Sequence, residues 1–307
     1  MRLVPRGRSL PTIDLRCNLI QANSLCPRFD RRLLQPYKQT LPRTHTKPSN
    51  STYTHRKMPD QLVVVITGAG RGLGNALARK YVALPNCTVV GSIRDDSAPG
   101  VAELKNSPKG EGSQLLLVKI ESSSPTDASN VVKELEAVGI DHIDILIPNA
   151  GVSPPIEPID TVDLGVVTST FQVNALGPLA LYQACLPLLE KSTNAKFMPM
   201  SSAAGTLCGM QQGGTFVAPS YCISKAALNW IILAAHCSNE WLTAVAVNPG
   251  LVATDMGNKT AKYLGLEKAT WTAEQSAEKI MSLIEKSSRE SNSGKFIDAI
   301  SGNEFPW

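Results

Sequence analysis

The sequence predicts a doubly wound α/β fold, in which a parallel sheet of about seven strands lies between two layers of helices (α/β/α). Three observations predict it. A short unbroken apolar run, Leu62-Val63-Val64-Val65-Ile66-Thr67, passes directly into a glycine-rich turn and then a helical pattern. Six further short runs (88–93, 115–120, 144–147, 195–200, 243–247 and 294–297) recur down the chain, with helical stretches set among them. The 307 residues are 43% hydrophobic and 18% charged, enough to bury a full core and too apolar for a disordered or collagen-like chain.

The first strand is rich in β-branched residues and has no polar alternation, as suits a strand buried on both faces. Gly68-Ala69-Gly70-Arg71-Gly72-Leu73-Gly74 follows it, and Asn75 to Leu84 then reads as a helix. Glycine permits positive φ and close backbone approach, while the unpaired amides and positive dipole end of a helix start hold a pyrophosphate. A glycine cluster alone is weak evidence, because turns are glycine-rich anyway. Its position between a buried strand and a helix favours a Rossmann-type dinucleotide site.

The spacing here is Gly-x-x-x-Gly-x-Gly behind a threonine. In this the sequence resembles the short-chain dehydrogenase/reductase family, whose cofactor fingerprint is TGxxxGxG. The resemblance implies that Gly68, Arg71, Gly72, Leu73 and Gly74 contact a nicotinamide dinucleotide.

The second strand (88–93) ends in Arg94-Asp95, where the fold meets the adenosine ribose. An acidic residue there accepts from the free 2′-hydroxyl of NAD, whereas arginine accommodates the 2′-phosphate of NADP. Arg94 comes first and Arg71 lies in the glycine turn, so two guanidinium groups meeting one phosphate predict NADPH/NADP+ as the cofactor. The plainer alternative is two solvated surface arginines. Glu121 ends the third strand, where the resemblance implies contact with the adenine.

The fourth strand (144–147) runs into Pro148-Asn149-Ala150-Gly151, similar to the family's Asn-Asn-Ala-Gly. Pro148 has no N–H, so any ladder bond donated from that position is lost; Asn149, Ala150 and Gly151 keep the implied cofactor contacts. Residues 163–189 read as one long helix with Asn174 matching the family's helix asparagine. The fifth strand (195–200) ends in Ser201-Ser202, and Tyr221-Cys222-Ile223-Ser224-Lys225 follows 19 residues after Ser202.

Residues at i and i+4 lie about 40° apart around a helix and roughly 6 Å along it, so Tyr221 and Lys225 share a face. YxxxK alone is nearly uninformative. After a glycine turn, an Asn-Ala-Gly and a strand-end Ser-Ser, in that order, chance explains it poorly.

Ketone reduction by hydride creates an alkoxide that needs a proton. Tyr221 would donate it, and an ammonium at ~4 Å favours the phenolate by roughly 4 kcal/mol at an effective dielectric of 20, lowering its pKa by up to ~3 units. Ser202 would hold the carbonyl oxygen, with Ser201 the runner-up. The resemblance implies that Lys225 also binds the nicotinamide ribose and that Asn174 holds a proton-relay water. The catalytic set is therefore Asn174, Ser202, Tyr221 and Lys225, with Tyr221 and Lys225 also touching the cofactor.

The helix around Tyr221 is apolar almost all round (Ile223, Ala227, Trp230, Ile231 and Ala234 on one stripe, Leu228 and Ile232 on another), which predicts burial by the sheet and by a second copy. A homodimer or homotetramer is expected. The sixth strand (243–247) leads into Pro249-Gly250-Leu251-Val252-Ala253-Thr254, whose likeness to the family's Pro-Gly motif implies that Pro249, Gly250, Val252 and Thr254 hold the nicotinamide amide and the pyrophosphate. Residues 294–297 fit a final strand.

Five motifs in family order cover residues 61–307. Within the family the likeness is to fungal norsolorinic acid ketoreductase-like members, suggested by Asn239-Glu240-Trp241-Leu242, Thr254-Asp255-Met256-Gly257, Leu264-Gly265 and Phe305-Pro306-Trp307. That implies reduction of a ketone on an aromatic polyketide. Segments 206–219 and 257–272 should shape the substrate site; the first holds Gln211-Gln212-Gly213-Gly214 and reads as an open loop. Two rival functions are a general carbonyl reductase or alcohol dehydrogenase, and a non-catalytic NADP(H) sensor. Intact Ser202, Tyr221 and Lys225 argue against the sensor.

Residues 1–59 differ from the rest. They carry twelve Lys/Arg against two acidic residues, a net +10 that leaves −6 for the remainder. Pro5, Pro11, Pro27, Pro36, Pro42 and Pro48 deny them a long helix. An organelle presequence, a nucleic-acid arm and an anionic-lipid anchor are open readings. The prolines weigh against the first, and the lack of a folded module beside the charges weighs against the second. The expectation is a basic, disordered extension absent from a native protein that begins near Met58, before a single NAD(P)-binding domain at 60–307.

The same survey excludes other classes. No internal repeat is found, no run approaches the roughly 20 apolar residues of a membrane helix, and no nucleic-acid partner is expected. The seven cysteines are scattered without a CxxC, as in a reducing, cytoplasmic setting, with mitochondrial targeting by the basic segment as the alternative. No pair of the four histidines has metal-ligand spacing, so no metal site is expected.

Overall fold

A computed structural model describes residues 61–208, 210–213 and 217–307. The readings of residues 1–59 lie outside the described residues. β1 (Leu62–Ile66), β2 (Cys87–Ile93), β3 (Gln114–Lys119), β4 (Ile145–Ile147), β5 (Lys196–Phe197) and β6 (Thr243–Ala244) form one sheet in the order β3-β2-β1-β4-β5-β6. All of its pairs are parallel. The chain thus has the doubly wound sheet that the alternation of strands and helices predicts.

β1 shows why its sequence is continuous. Alternate side chains point to opposite faces, and both faces are covered. Val63 and Val65 join the core formed with α3 (Asp127–Ala137), α5 (Gly177–Leu189) and α7 (Pro219–Ser238). Val64 and Ile66 join the core formed with α1 (Gly72–Val82) and α9 (Ala273–Lys286).

The fifth and sixth strands are shorter than the sequence suggests, and two prolines explain it. Lys196, Met198 and Met200 donate in series to the carbonyls of Asp144, Leu146 and Pro148. The return bond from residue 148 cannot form, because proline has no N–H. On the other side Thr243, Val245 and Val247 donate to Ala195, Phe197 and Pro199, and Pro199 likewise gives nothing back. The sixth run is therefore split into β6 and β7 (Ala246–Asn248). β7 pairs in parallel with β8 (Phe296–Asp298), and β8 pairs antiparallel with β9 (Glu304–Phe305), a strand the sequence reading did not contain.

The predicted long helix is α4 (Leu164–Phe171), a π-helical turn over Gln172–Leu176, and α5. Joined in this way, Leu164–Leu189 is long and apolar enough, by length and composition, to cross a membrane. This corrects the expectation that no stretch reaches that length. The segment packs against α7 and places Asn174, Leu181 and Leu188 in the interior.

Candidate active site

The glycine turn is built as a cradle. Gly68 and Gly72 have φ of +71° and +57°, values that side-chain-bearing residues avoid. A Cβ at Gly74 would collide with the Gly68 carbonyl and the Asn149 amide. The N-terminus of α1 has neither a side-chain cap nor an acidic residue in its first turn, so its amides are open to an anion. Thr67 ties this turn to the fourth strand: its Oγ1 accepts from the N–H groups of Asn149 and Ala150, and Asn149 Nδ2 donates to the Thr67 carbonyl at 2.9 Å.

Glu121 lines a narrow cleft with Thr67, Ile120, Pro148 and Ala150. On the other flank, a Cβ on Gly72 would lie 3.0 Å from the Thr254 methyl. Thr254 itself caps α8 (Asp255–Tyr263) by accepting from Gly257. Gly250, at φ +79°, turns the chain after Pro249. The Val252 carbonyl accepts from Thr254 N–H. The strand ends thus bring all the predicted cofactor segments to one edge.

The two arginines behave differently from the prediction. Arg71 is turned toward Asp255 at 3.2 Å, with both side chains exposed, rather than held free beside Arg94. Such a pair contributes about 0–1 kcal/mol and is easily exchanged for a phosphate. Arg94 forms no ion pair among the described residues. Asp95 is committed to Ser97, accepting from both its N–H and its hydroxyl, and these bonds hold its pKa below the usual carboxylate value. The acidic group is spent locally while the Arg94 guanidinium is available.

A continuous set of contacts leads from the cradle to the catalytic side chains. Asn174 sits in the π turn, fully buried, with its amide bridging Val152 N–H and C=O and donating to Ser224 Oγ at 3.0 Å. Ser224 in turn donates to the Tyr221 carbonyl. The Asn174 side chain is therefore occupied by protein, and any water held here must use backbone groups of the widened turn.

The structure distinguishes the two strand-end serines. Ser201 is buried and bonded to Asn229 on α7. Ser202 instead meets the Tyr221 phenol as a side-chain hydrogen-bond partner that lowers its pKa, and it accepts from Ala204 N–H at 3.2 Å. Lys225 is 5% exposed, donates to the Met200 carbonyl at 2.8 Å, and lies 5.6 Å from the Tyr221 ring centroid.

Here the electrostatics overturn an expectation. Tyr221 is raised to about 12, because burial outweighs the bond from Ser202. Lys225 is lowered to about 8 by the same burial. Desolvation of both groups exceeds the attraction between them that the sequence reading emphasised.

Segment 206–219 also differs in part from the open loop expected: Met210–Gly213 forms a helical turn, while residues 209 and 214–216 lie outside the described residues. Among the described residues, no cluster of His, Cys, Asp or Glu suits a metal ion.

Comparison with known proteins matches this geometry. A family model described as short chain dehydrogenase matches residues 62–264. The chain belongs to the short-chain dehydrogenase family. It is 45% identical over 251 residues to the short-chain dehydrogenase srdF of Neurospora crassa, covering 81% of this chain and 98% of the relative. It is 32% identical to a norsolorinic acid ketoreductase of Aspergillus parasiticus, covering 86% and 97%. An NADPH-bound carbonyl reductase from chicken fatty liver superposes with a TM-score of 0.69 at 26% identity, over 80% of this chain and 100% of that one. This short-chain dehydrogenase is an oxidoreductase with fungal ketoreductase relatives.

The sequence gives no role to Asn229, Ser224 and Asn248, and marks Thr67 only as the leading residue of the glycine fingerprint. Each acts through a backbone atom or a neighbour's side chain, and only Thr67 stood where a motif could have exposed it.

Proposed function

We propose that this short-chain dehydrogenase is an NADPH-dependent ketoreductase that reduces a ketone to a secondary alcohol, with an aromatic polyketide ketone such as norsolorinic acid as the substrate class. The observation that carries it is the meeting of the Ser202 hydroxyl, the Tyr221 phenol and the Lys225 ammonium next to a glycine cradle, with Arg94 in no ion pair among the described residues. The cradle fits a dinucleotide, because Gly68 and Gly72 turn at positive φ with no side chain to keep a ligand off the backbone, and α1 starts uncapped. When bound, NADPH supplies the hydride.

The residues supply the rest. The cradle amides and Thr254 bind the pyrophosphate, and Arg94 binds the 2′-phosphate. Ser202 orients the substrate carbonyl through its hydroxyl, and Tyr221 gives its proton to the same oxygen as negative charge develops there. A phenol raised to about 12 stays protonated through the neutral range, the state that donation requires. Lys225 stabilises the phenolate left behind. Homology supports the ketone class: the norsolorinic acid ketoreductase of A. parasiticus covers 86% of this chain.

A homodimer or homotetramer follows from the outward face of α7, where Trp230 is 71% and Ile223 42% exposed beside α4, whose Leu164 is 77% exposed. Light scattering that finds a monomer would remove that part. Among the described residues, Cys87, Cys185, Cys208 and Cys237 form no disulfides. That supports a cytoplasmic protein, and fractionation of native material checks it. Intact-mass measurement of the same material tests a start near Met58, which detection of residue 1 would refute.

The main test follows nicotinamide absorbance with NADPH and NADH in parallel against aliphatic and aryl ketones. Turnover preferring NADPH and rising toward aryl ketones is expected. Tight NADPH binding without turnover on any ketone would replace the reductase by a sensor.

A further inference from the structure

The segment carrying Ser202 is held from a direction that the catalytic chemistry does not use. Residues 298–307 reach it at three points. Asp298 Oδ1 accepts from Asn248 Nδ2 at 2.9 Å, and Asn248 Oδ1 accepts from Ala203 N–H at 3.1 Å, directly after Ser202. The Pro306 carbonyl accepts from the Thr206 hydroxyl at 2.7 Å. The Trp307 carbonyl accepts from Cys208 N–H at 3.2 Å.

These tethers have a rigid base. β9 pairs with β8, and the buried Phe296 packs its ring against Phe305 (5.3 Å between centroids) and Trp307 (5.9 Å). Opposite the tethers, Gly205 is pressed on the backbone of α7 at Lys225, where a Cβ would come within 2.8 Å of the Lys225 carbonyl carbon. Residues 202–206 are therefore wedged between the helix that carries Tyr221 and Lys225 and a strap formed by 298–307.

We infer that Asp298, Thr206 and the Phe305-Pro306-Trp307 strap are positioning residues for ketone reduction, setting where the Ser202 hydroxyl stands relative to Tyr221. The inference rests on the ketoreductase reading above. The physical reason is steepness: displacement of a catalytic group by about 1 Å costs roughly 100-fold in rate. The Ser202 turn has two backbone bonds of its own, from Gly205 N–H to the Ser202 carbonyl and from Thr206 N–H to the Ala203 carbonyl, and neither engages the Ala203 N–H or the Thr206 hydroxyl that residues 298–307 and Asn248 hold. Thr206 is only 9% exposed, so loss of its partner leaves a nearly buried hydroxyl unsatisfied.

The test compares Thr206→Val, which keeps the shape and removes the hydroxyl, with Thr206→Ser, which restores it, and with Trp307→Ala. In each, ketone kcat and KM, NADPH affinity by fluorescence, and amide hydrogen exchange are measured. Expected for Thr206→Val and Trp307→Ala is a loss in kcat/KM for ketone of about tenfold or more. NADPH affinity should be unchanged and exchange faster at Ala203 and Cys208 but not in β1 or α1, with recovery in Thr206→Ser.

Unchanged kcat/KM in both variants would overturn the inference. So would a loss matched by an equal loss of NADPH affinity, or one that serine does not rescue. If the unaltered protein binds NADPH but reduces no ketone, the reductase reading fails instead. Exchange then judges the strap: slow exchange persisting at Ala203 and Cys208 in the variants would overturn it.

Discussion

β1, β2 and β3 run five, seven and six residues in unbroken parallel register. Across the sheet, β4 to β7 run only two or three residues each. The first half carries the cofactor cradle and is shaped by backbone ladders and glycine geometry. The second carries Ser202, Tyr221 and Lys225, and there Pro148 and Pro199 donate no ladder bonds while the site side chains are held by bonds such as Ser201 to Asn229 and Lys225 to the Met200 carbonyl. In the proposed reading, nucleotide binding therefore rests chiefly on main-chain shape, and catalysis on individually tethered side chains. Substitutions in the two halves should fail in different ways.

The sharpest separation comes from Tyr221→Phe. Ketone turnover should fall by at least 10²–10⁴-fold while NADPH titration by fluorescence stays near that of the unaltered protein. Residual turnover within tenfold would remove Tyr221 as the proton donor. Gly74→Ala should do the converse, since the added methyl meets the Gly68 carbonyl and Asn149. A weakening of NADPH binding and a stability loss of about 1–3 kcal/mol are expected in calorimetry. Normal binding by this variant would break the claim that the cradle is sterically closed.

Arg94→Gln should reduce the preference for NADPH over NADH about tenfold, as removal of one charge-assisted bond does. The ratio of kcat/KM for the two cofactors measures it, and an unaltered ratio would leave Arg94 a solvated surface residue. The smallest expected effect is in pH. Lys225 is lowered to about 8 by burial, so its ammonium is present below that value and lost above it. Reduction should decline as pH rises through about 8, whereas NADPH binding by the cradle amides should not. A rate that is flat or rising up to pH 10 would contradict a need for the charged lysine.

Legibility from sequence follows the same division. The glycine turn could be read because its constraint is local: positive φ and a missing Cβ are written in the glycine itself. Tyr221 and Lys225 could be read because helical spacing is local too. Which serine faces the phenol could be anticipated only by family pattern. The physical reason, Asn229 capturing Ser201, joins residues 28 apart.

The Tyr221 acidity went wrong because charge attraction can be computed from spacing, while burial of both groups depends on everything packed around them. The proline at 148 signalled a missing ladder bond, but its effect on β5 needed the register of β4 against β5. β9 and the strap were invisible, since Phe305-Pro306-Trp307 has meaning only beside Phe296 and Thr206.

The π turn at Gln172–Leu176 has a consequence for changes of length. Each residue of an α-helix advances the chain by about 100°. A π turn holds one residue more than an α turn in about the same rotation, so removing one residue from it would let the segment relax into a regular helix with Leu181, Tyr182, Cys185 and Leu188 still on the core-facing side. A single deletion just after the turn has no such slack: it swings the rest of α5 around its axis and carries those residues off the core.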